Sequence, residues 1–143
     1  MPKIIQNVFL LLLSQINNGD MQKQKIIYID DELINLSLFH INFRDRFDII
    51  ISESPVKAIE IIREQNIKVI ITDYKMPVMN GMEFMEHLRE SSDFDETPVI
   101  VVSTEGSKER KEELFDKNIK AYLRKPIAPE ELANKVNEIL GAS

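Results

Sequence analysis

Cysteine is absent from the 143 residues, and with it go disulfides, thiolate catalysis and zinc–thiolate sites. The same absence suits a cytoplasmic protein. Basic residues are the minority: 18 Lys and Arg stand against 24 Asp and Glu, a formal charge of -6. No long basic run occurs, which argues against direct nucleic-acid binding, because phosphate neutralisation needs clustered Lys and Arg. Histidine is limited to His40 and His87; neither has metal-ligand company, and both read as structural. No apolar run reaches the ~18 residues that a membrane span requires. Repeats, low-complexity tracts and long linkers are missing too, so nothing marks a second domain.

What is present is an ordinary globular composition, 43% hydrophobic and 29% charged, long enough for one domain with a core. Residues 1–22 stand apart as an N-terminal extension of unknown role, and residues 23–143 are expected to form the domain. The apolar centre of the extension, Val8-Phe9-Leu10-Leu11-Leu12-Leu13, follows a lone Lys3 but leads into Ser14-Gln15-Ile16-Asn17-Asn18-Gly19. That continuation lacks the small-residue cleavage pattern of a secretion signal. The expectation is a short helix packed on the domain or a partner, or sequence upstream of a start at Met21.

From Lys23 onward, continuous apolar runs alternate with segments of helical periodicity. The strands are expected at 25–29, 47–51, 69–73, 98–103 and 121–124. Leu33, Leu36 and Phe39 mark the first helix, with Ile34, Leu38 and Ile41 widening its stripe and Asp30 or Asp31 placed to cap it. Pro55 suits the first position of the second helix, with Val56, Ile59 and Ile62 on its apolar face. The third carries Met82, Phe84, Met85 and Leu88 and runs out at Ser91-Ser92-Asp93. The fourth, 107–117, holds only Leu114 and Phe115 as large apolar residues and is expected to be the most loosely held. Pro129 opens the last, with Leu132, Val136, Ile139 and Leu140. Met76, Met79, Met82 and Met85 read as loop and core packing. Strands alternating with helices at this spacing imply right-handed βαβ crossovers: an α/β, doubly wound parallel sheet covered on both faces.

The expected strand ends carry Asp30-Asp31, Asp73, Ser103 and Lys125. Ligands bind outside the carboxyl ends of strands in such sheets, so these residues are expected to meet. Crowded carboxylates favour a hard divalent cation, Mg²⁺ being the natural candidate. A neighbouring Lys and hydroxyl suit an anion beside it, which points to phosphoryl transfer onto an aspartate.

Four motifs then coincide: Tyr28-Ile29-Asp30-Asp31-Glu32, Asp73-Tyr74-Lys75-Met76-Pro77-Val78-Met79-Asn80-Gly81, the strand ending in Ser103, and Tyr122-Leu123-Arg124-Lys125-Pro126. Over residues 23–140 the chain resembles the receiver domain of two-component response regulators, most closely the stand-alone chemotaxis type. The resemblance implies a flavodoxin-like (βα)5 fold with strand order 2-1-3-4-5, and a phosphorylation-activated signalling switch of a phosphorelay. By position, it implies that Asp73 accepts a phosphoryl group from a histidine kinase or phosphotransfer protein. Mg²⁺ is implied to be held by Asp31 directly, by Asp30 through water, by Asp73 and by the backbone carbonyl of Lys75. Lys125 and Ser103 are implied to contact the phosphoryl oxygens, and Tyr122 to turn inward when Ser103 moves. Lys125-Pro126 matches a step that is often cis in the family.

Further implications are a partner or dimer face formed by the fourth helix, fifth strand and last helix, and a phosphoacceptor that assists its own phosphorylation and dephosphorylation instead of a turnover enzyme. The downstream target is left open, as is whether the chain acts alone or is a piece of a longer protein. Two features depart from the commonest pattern. Thr104 stands where the family usually has Ala or Gly, which narrows access. Lys75 and Glu105 flank the pocket, where an exposed ion pair is expected to tune phosphoryl lifetime.

Rival readings are a receiver-fold interaction module without phosphorylation and an aspartyl-phosphate hydrolase. The hydrolase usually carries a second carboxylate where Lys75 stands. A flavin-binding domain is disfavoured because Asp30-Asp31 repel phosphate.

Overall fold

The computed structural model describes residues 2–9, 23–90 and 96–141. Residues 3–9 are helical and exposed. Met21 and the expected run-out at Ser91-Ser92-Asp93 lie outside the described residues, as does most of the 1–22 extension. The domain then runs β1 (Lys25–Ile29), α1 (Leu33–Phe43), β2 (Asp48–Ser52), α2 (Pro55–Glu64), β3 (Val69–Asp73), α3 (Gly81–Glu90), β4 (Val99–Ser103), α4 (Lys108–Asp116), β5 (Ala121–Arg124) and α5 (Pro129–Ile139). All strand pairs are parallel, in the order β2-β1-β3-β4-β5. Strand bounds agree with the sequence to within one residue.

The sheet separates two cores because side chains alternate along each strand. Ile26, Tyr28, Val69, Ile71, Ile100 and Val102 pack against Leu36, Phe39 and Phe43 of α1 and Leu132, Ala133 and Val136 of α5. Ile27, Ile29, Ile70, Val99 and Val101 face Ala58 and Ile62 of α2, Phe84, Met85 and Leu88 of α3, and Leu114 of α4. Both faces are therefore dry, which is why the strands read as continuous apolar runs.

Helix starts follow local chemistry. Ser54 Oγ accepts from Lys57 N–H ahead of Pro55, and Ser107 Oγ accepts from Arg110 N–H at α4. Asn80 and Glu83 exchange side-chain and backbone bonds at α3, the reciprocal pattern of a capping box.

Two expectations are corrected. Neither Asp30 nor Asp31 is the cap of α1; Glu32 holds that position without a side-chain cap bond. The buried stripe of α1 is Leu36, Phe39 and Phe43, while Leu33, Ile34, Leu38 and Ile41 are exposed. The aromatic rings decide the helix's rotation: Phe39 lies 4.1 Å from the Tyr28 ring and 4.6 Å from Phe43. On α4 only Leu114 is buried, and Phe115 faces solvent.

Candidate functional site

Parallel register brings the strand ends together. Asp30 follows β1 and donates its N–H to Ser52 O; Asp73 ends β3 opposite Val102; Ser103 ends β4 opposite Arg124; Lys125 follows β5 and donates its N–H to Ser103 O. Asp30, Asp73 and Ser103 are buried, whereas Asp31 is exposed at the rim. Oxygens of Asp30, Asp31 and Asp73 lie within 4.8 Å of one another. Lys125 Nζ reaches over them, 2.9 Å from Asp30 Oδ2 and 3.2 Å from Asp73 Oδ1.

Asp30 is fully engaged. Its Oδ2 accepts from Tyr28 Oη (2.7 Å), Asn35 Nδ2 (3.1 Å) and Lys125 Nζ, and its Oδ1 accepts from Glu32 N–H at 3.0 Å. Burial pushes the Asp30 carboxyl up, but the bonds from Glu32, Lys125 and Tyr28 outweigh it and hold the group below its ordinary value. Asp73 goes the other way. Burial and the Asp30 charge raise it, and Lys125 offsets only part. Lys125 would be lowered by burial, yet Asp30 and Asp73 keep it above its ordinary value and so charged. Burial first, then the charge of Asp30, raises the Tyr28 phenol, which stays a donor.

The donor set suits a hard cation. Octahedral Mg²⁺ with oxygens at about 2.0–2.1 Å sets neighbouring ligands roughly 3 Å apart and retains several waters. A three-carboxylate cluster of 4.8 Å extent meets that requirement after side-chain-sized adjustment. Asp31, which makes no hydrogen bond or ion pair among the described residues, is the carboxylate free to ligate.

Ser103 and Tyr122 hold the backbone of Glu105 between them. Glu105 N–H donates to Ser103 Oγ at 3.1 Å, and Tyr122 Oη donates to Glu105 O. Lys75 Nζ lies 3.9 Å from Glu105 Oε1, both side chains well exposed. Thr104 lines a groove of about 390 Å³ with Tyr28, Asn35, Leu38, Lys125 and Pro126. The Lys125-Pro126 peptide is cis. A larger hollow, about 420 Å³ between α2 and α3, holds none of the strand-end residues.

Several site residues escaped the sequence reading. Tyr28 and Asn35, which fix Asp30, carried a usable signal: Tyr28 shares its strand face with Asp30 two residues on. Arg110 of α4 lies 4.0 Å from the Tyr74 ring centroid, a contact between distant segments with no periodic signature. Gly81 is set by close approach: an added Cβ would stand 3.0 Å from Tyr74 Cδ2 and 3.2 Å from Tyr74 Cα.

Fold and site together define a doubly wound α/β domain with an acidic pocket closed by a lysine at the strands' carboxyl ends. The chain belongs to the response regulator receiver domain family, whose match spans residues 26–137. It is 33% identical over 95 residues to a chemotaxis protein CheY homolog of Campylobacter jejuni, covering 66% of this chain and 73% of that one. To chemotaxis protein CheY1 of Helicobacter pylori it is 30% identical over 125 residues, covering 83% and 98%. The structure of chemotaxis protein CheY4 of Vibrio cholerae superposes with a TM-score of 0.77 at 27% identity, over 82% of this chain and 98% of that one. Magnesium and phosphorylation are typical of the family. No helix among the described residues is long and apolar enough to cross a membrane.

Proposed function

We propose that this protein is a phosphorylation-activated switch of a two-component phosphorelay, with Asp73 accepting a phosphoryl group from the phosphohistidine of a histidine kinase or phosphotransfer protein. The carrying observation is the convergence of Asp30, Asp31 and Asp73 beneath Lys125. In the step, an Asp73 carboxylate oxygen forms a P–O bond while the P–N bond to the donor imidazole breaks, its electron pair leaving with the ring. Mg²⁺, when bound, supplies neutralisation of the charge on the transferring group. Asp31 and Asp73 would hold it directly with the Lys75 carbonyl, and Asp30 would act through water. That division suits an Asp30 whose oxygens already accept four hydrogen bonds.

Lys125 then pairs with the phosphoryl oxygens. The Ser103 hydroxyl turns from Glu105 N–H toward one of them, and Tyr122 follows inward. With one of its two holds gone, the β4–α4 connection biases α4, β5 and α5 toward a second arrangement. That surface, where Phe115 supplies an exposed apolar anchor, meets a downstream protein or a second copy. Lys75, Thr104 and Glu105 set how fast water reaches the acyl phosphate. Residues 23–143 make up the switch domain, which acts as a phosphoacceptor in the cytoplasm and not as a turnover enzyme.

The test is incubation with Mg²⁺ and acetyl phosphate, followed by intact mass and free phosphate. A single phosphoryl gain that Asp73→Ala abolishes supports the reading. Steady phosphate release favours an aspartyl-phosphate hydrolase, and no gain from small or protein donors favours an interaction module.

A further inference from the structure

α1 is an unusual surface helix. Its sequence, LINLSLFHINF, holds no Asp, Glu, Lys or Arg, although charged residues normally occupy a solvated face. Leu33, Ile34, Leu38 and Ile41 are all more than half exposed, and they form one stripe at helical spacing on the side away from the sheet. Leu38 also walls the groove that leads past Asn35 and Asn42 to Thr104, Lys125 and Pro126.

A second segment has the same character. Residues 3–9 are helical, and Ile4, Ile5, Val8 and Phe9 are again more than half exposed on a common side. Lys3 is the only charged side chain before Asp20. The polar side, Gln6 and Asn7, lacks the Lys and Arg that mark helices lying on anionic lipid.

Chain connectivity places these two surfaces within reach. Lys23 Nζ donates to Arg44 O at 3.4 Å, and Arg44 is the C-cap of α1. The extension thus leaves the domain beside the end of that helix. Residues 10–22, at about 3.3 Å each, span up to ~43 Å, whereas the eleven residues of α1 cover only ~16 Å. Tethering at this length gives an effective concentration on the order of millimolar, well above that of a second copy at micromolar protein.

We infer that the N-terminal helix docks through Ile4, Ile5, Val8 and Phe9 onto the Leu33–Ile34–Leu38–Ile41 face of α1 of the same chain. Docked there, it borders the groove beside Lys125 and restrains protein phosphodonors from reaching Asp73; this consequence rests on the phosphoacceptor reading, whereas the docking does not.

The absence of cysteine makes the test direct. In the full chain, Val8→Cys is paired in turn with Ile34→Cys, Leu38→Cys and Ile41→Cys, all exposed positions, and with Glu112→Cys on α4 as control. At low micromolar protein under mild oxidation, at least one α1 pair is expected to close within the chain ten or more times faster than the control. Equal rates, disulfides only between chains, or no closure overturns the docking. Phosphoryl transfer from a phosphorylated histidine-phosphotransfer domain is then expected to quicken several-fold in Phe9→Glu and to slow in the cross-linked protein, with acetyl phosphate little affected. Unchanged transfer in both overturns the restraint. If Asp73 takes no phosphoryl group from any donor, the phosphoacceptor reading and the restraint fail together, and cross-linking still decides the docking.

Discussion

Lys125 Nζ lies 3.2 Å from Asp73 Oδ1, and the same ammonium stands 2.9 Å from Asp30 Oδ2. One lysine therefore offsets two buried carboxylates that would otherwise repel each other. Removing it by Lys125→Met leaves both charges uncompensated at a site only partly open to water. The expected loss is about 2–4 kcal/mol in a urea melt without metal. Mg²⁺ is expected to restore more stability to the variant than it adds to the parent, because the cation then takes over the lysine's role. Equal gains would mean that the metal binds elsewhere.

Asp73 and Asp30 are expected to respond oppositely to acid. Burial raises Asp73, Lys125 relieves part of this and Asp30 adds to it, so Asp73 takes up its proton first. Its folded pKa exceeds the unfolded one; ionised Asp73 therefore costs stability above that pKa, and the cost vanishes as pH falls through it. Asp30, held below its ordinary value once the bonds from Glu32, Lys125 and Tyr28 outweigh burial, stabilises the fold above its unfolded pKa. That contribution is lost as pH falls through the folded pKa. Metal-free protein should hold or gain stability as pH drops toward the raised Asp73 value, then lose it further down. Asp73→Asn removes the first limb and raises the neutral-pH midpoint by about 3–6 °C, roughly 1 kcal/mol. Thermal melts across pH read both effects.

Lys75 and Glu105 form an exposed pair 3.9 Å apart, with side chains 80% and 63% accessible. Such a pair contributes ~0–1 kcal/mol, so Lys75→Ala and Glu105→Ala should leave the melting midpoint nearly unchanged. The lifetime of phospho-Asp73 is expected to change several-fold in at least one of them, since Lys75 follows Asp73 by two residues and Glu105 follows Ser103 by two. Unchanged decay in both would sink this role.

Arg110 over the Tyr74 ring, 4.0 Å from its centroid, ties the first turn of α4 to the residue after Asp73. Both residues are half-buried, and loss of a contact of this kind costs about 1 kcal/mol. Arg110→Ala should therefore change global stability little while raising amide hydrogen exchange across residues 108–116 selectively. A uniform rise over the whole chain, or none in α4, would contradict the tie.

Much of this fold was legible because it rests on local signals that agree. The central strands β1, β3 and β4 are apolar runs buried on both faces, and Pro55, Gly81 and Pro129 sit where helices begin. The pocket was legible for a topological reason: parallel strands put their last residues on one edge, so Asp30, Asp73 and Lys125 had little choice but to meet, while the Ser103 hydroxyl, on the neighbouring strand end, accepts from Glu105 N–H. α1 was harder, since apolar residues surround it and periodicity cannot choose a face. Packing of Phe39 against Tyr28 made the choice. Asp30 also looked like a helix cap, and only the fold shows its oxygens committed to Tyr28, Asn35, Lys125 and Glu32. Arg110 on Tyr74, and Glu105 held between Ser103 and Tyr122, join segments far apart in the chain and leave no trace in spacing.

Locating the acyl phosphate tests the central claim most directly. Protein treated with Mg²⁺ and acetyl phosphate is reduced with borohydride, which delivers one hydride to the acyl carbon with expulsion of phosphate and a second to the resulting aldehyde, turning a phosphorylated aspartate into homoserine. Peptide mass spectrometry then reads the position. The account predicts homoserine at position 73 and nowhere else, absent when Mg²⁺ is withheld by chelation. Homoserine at position 30 or 31, or phosphate carried on Ser103 with position 73 unmodified, would contradict it.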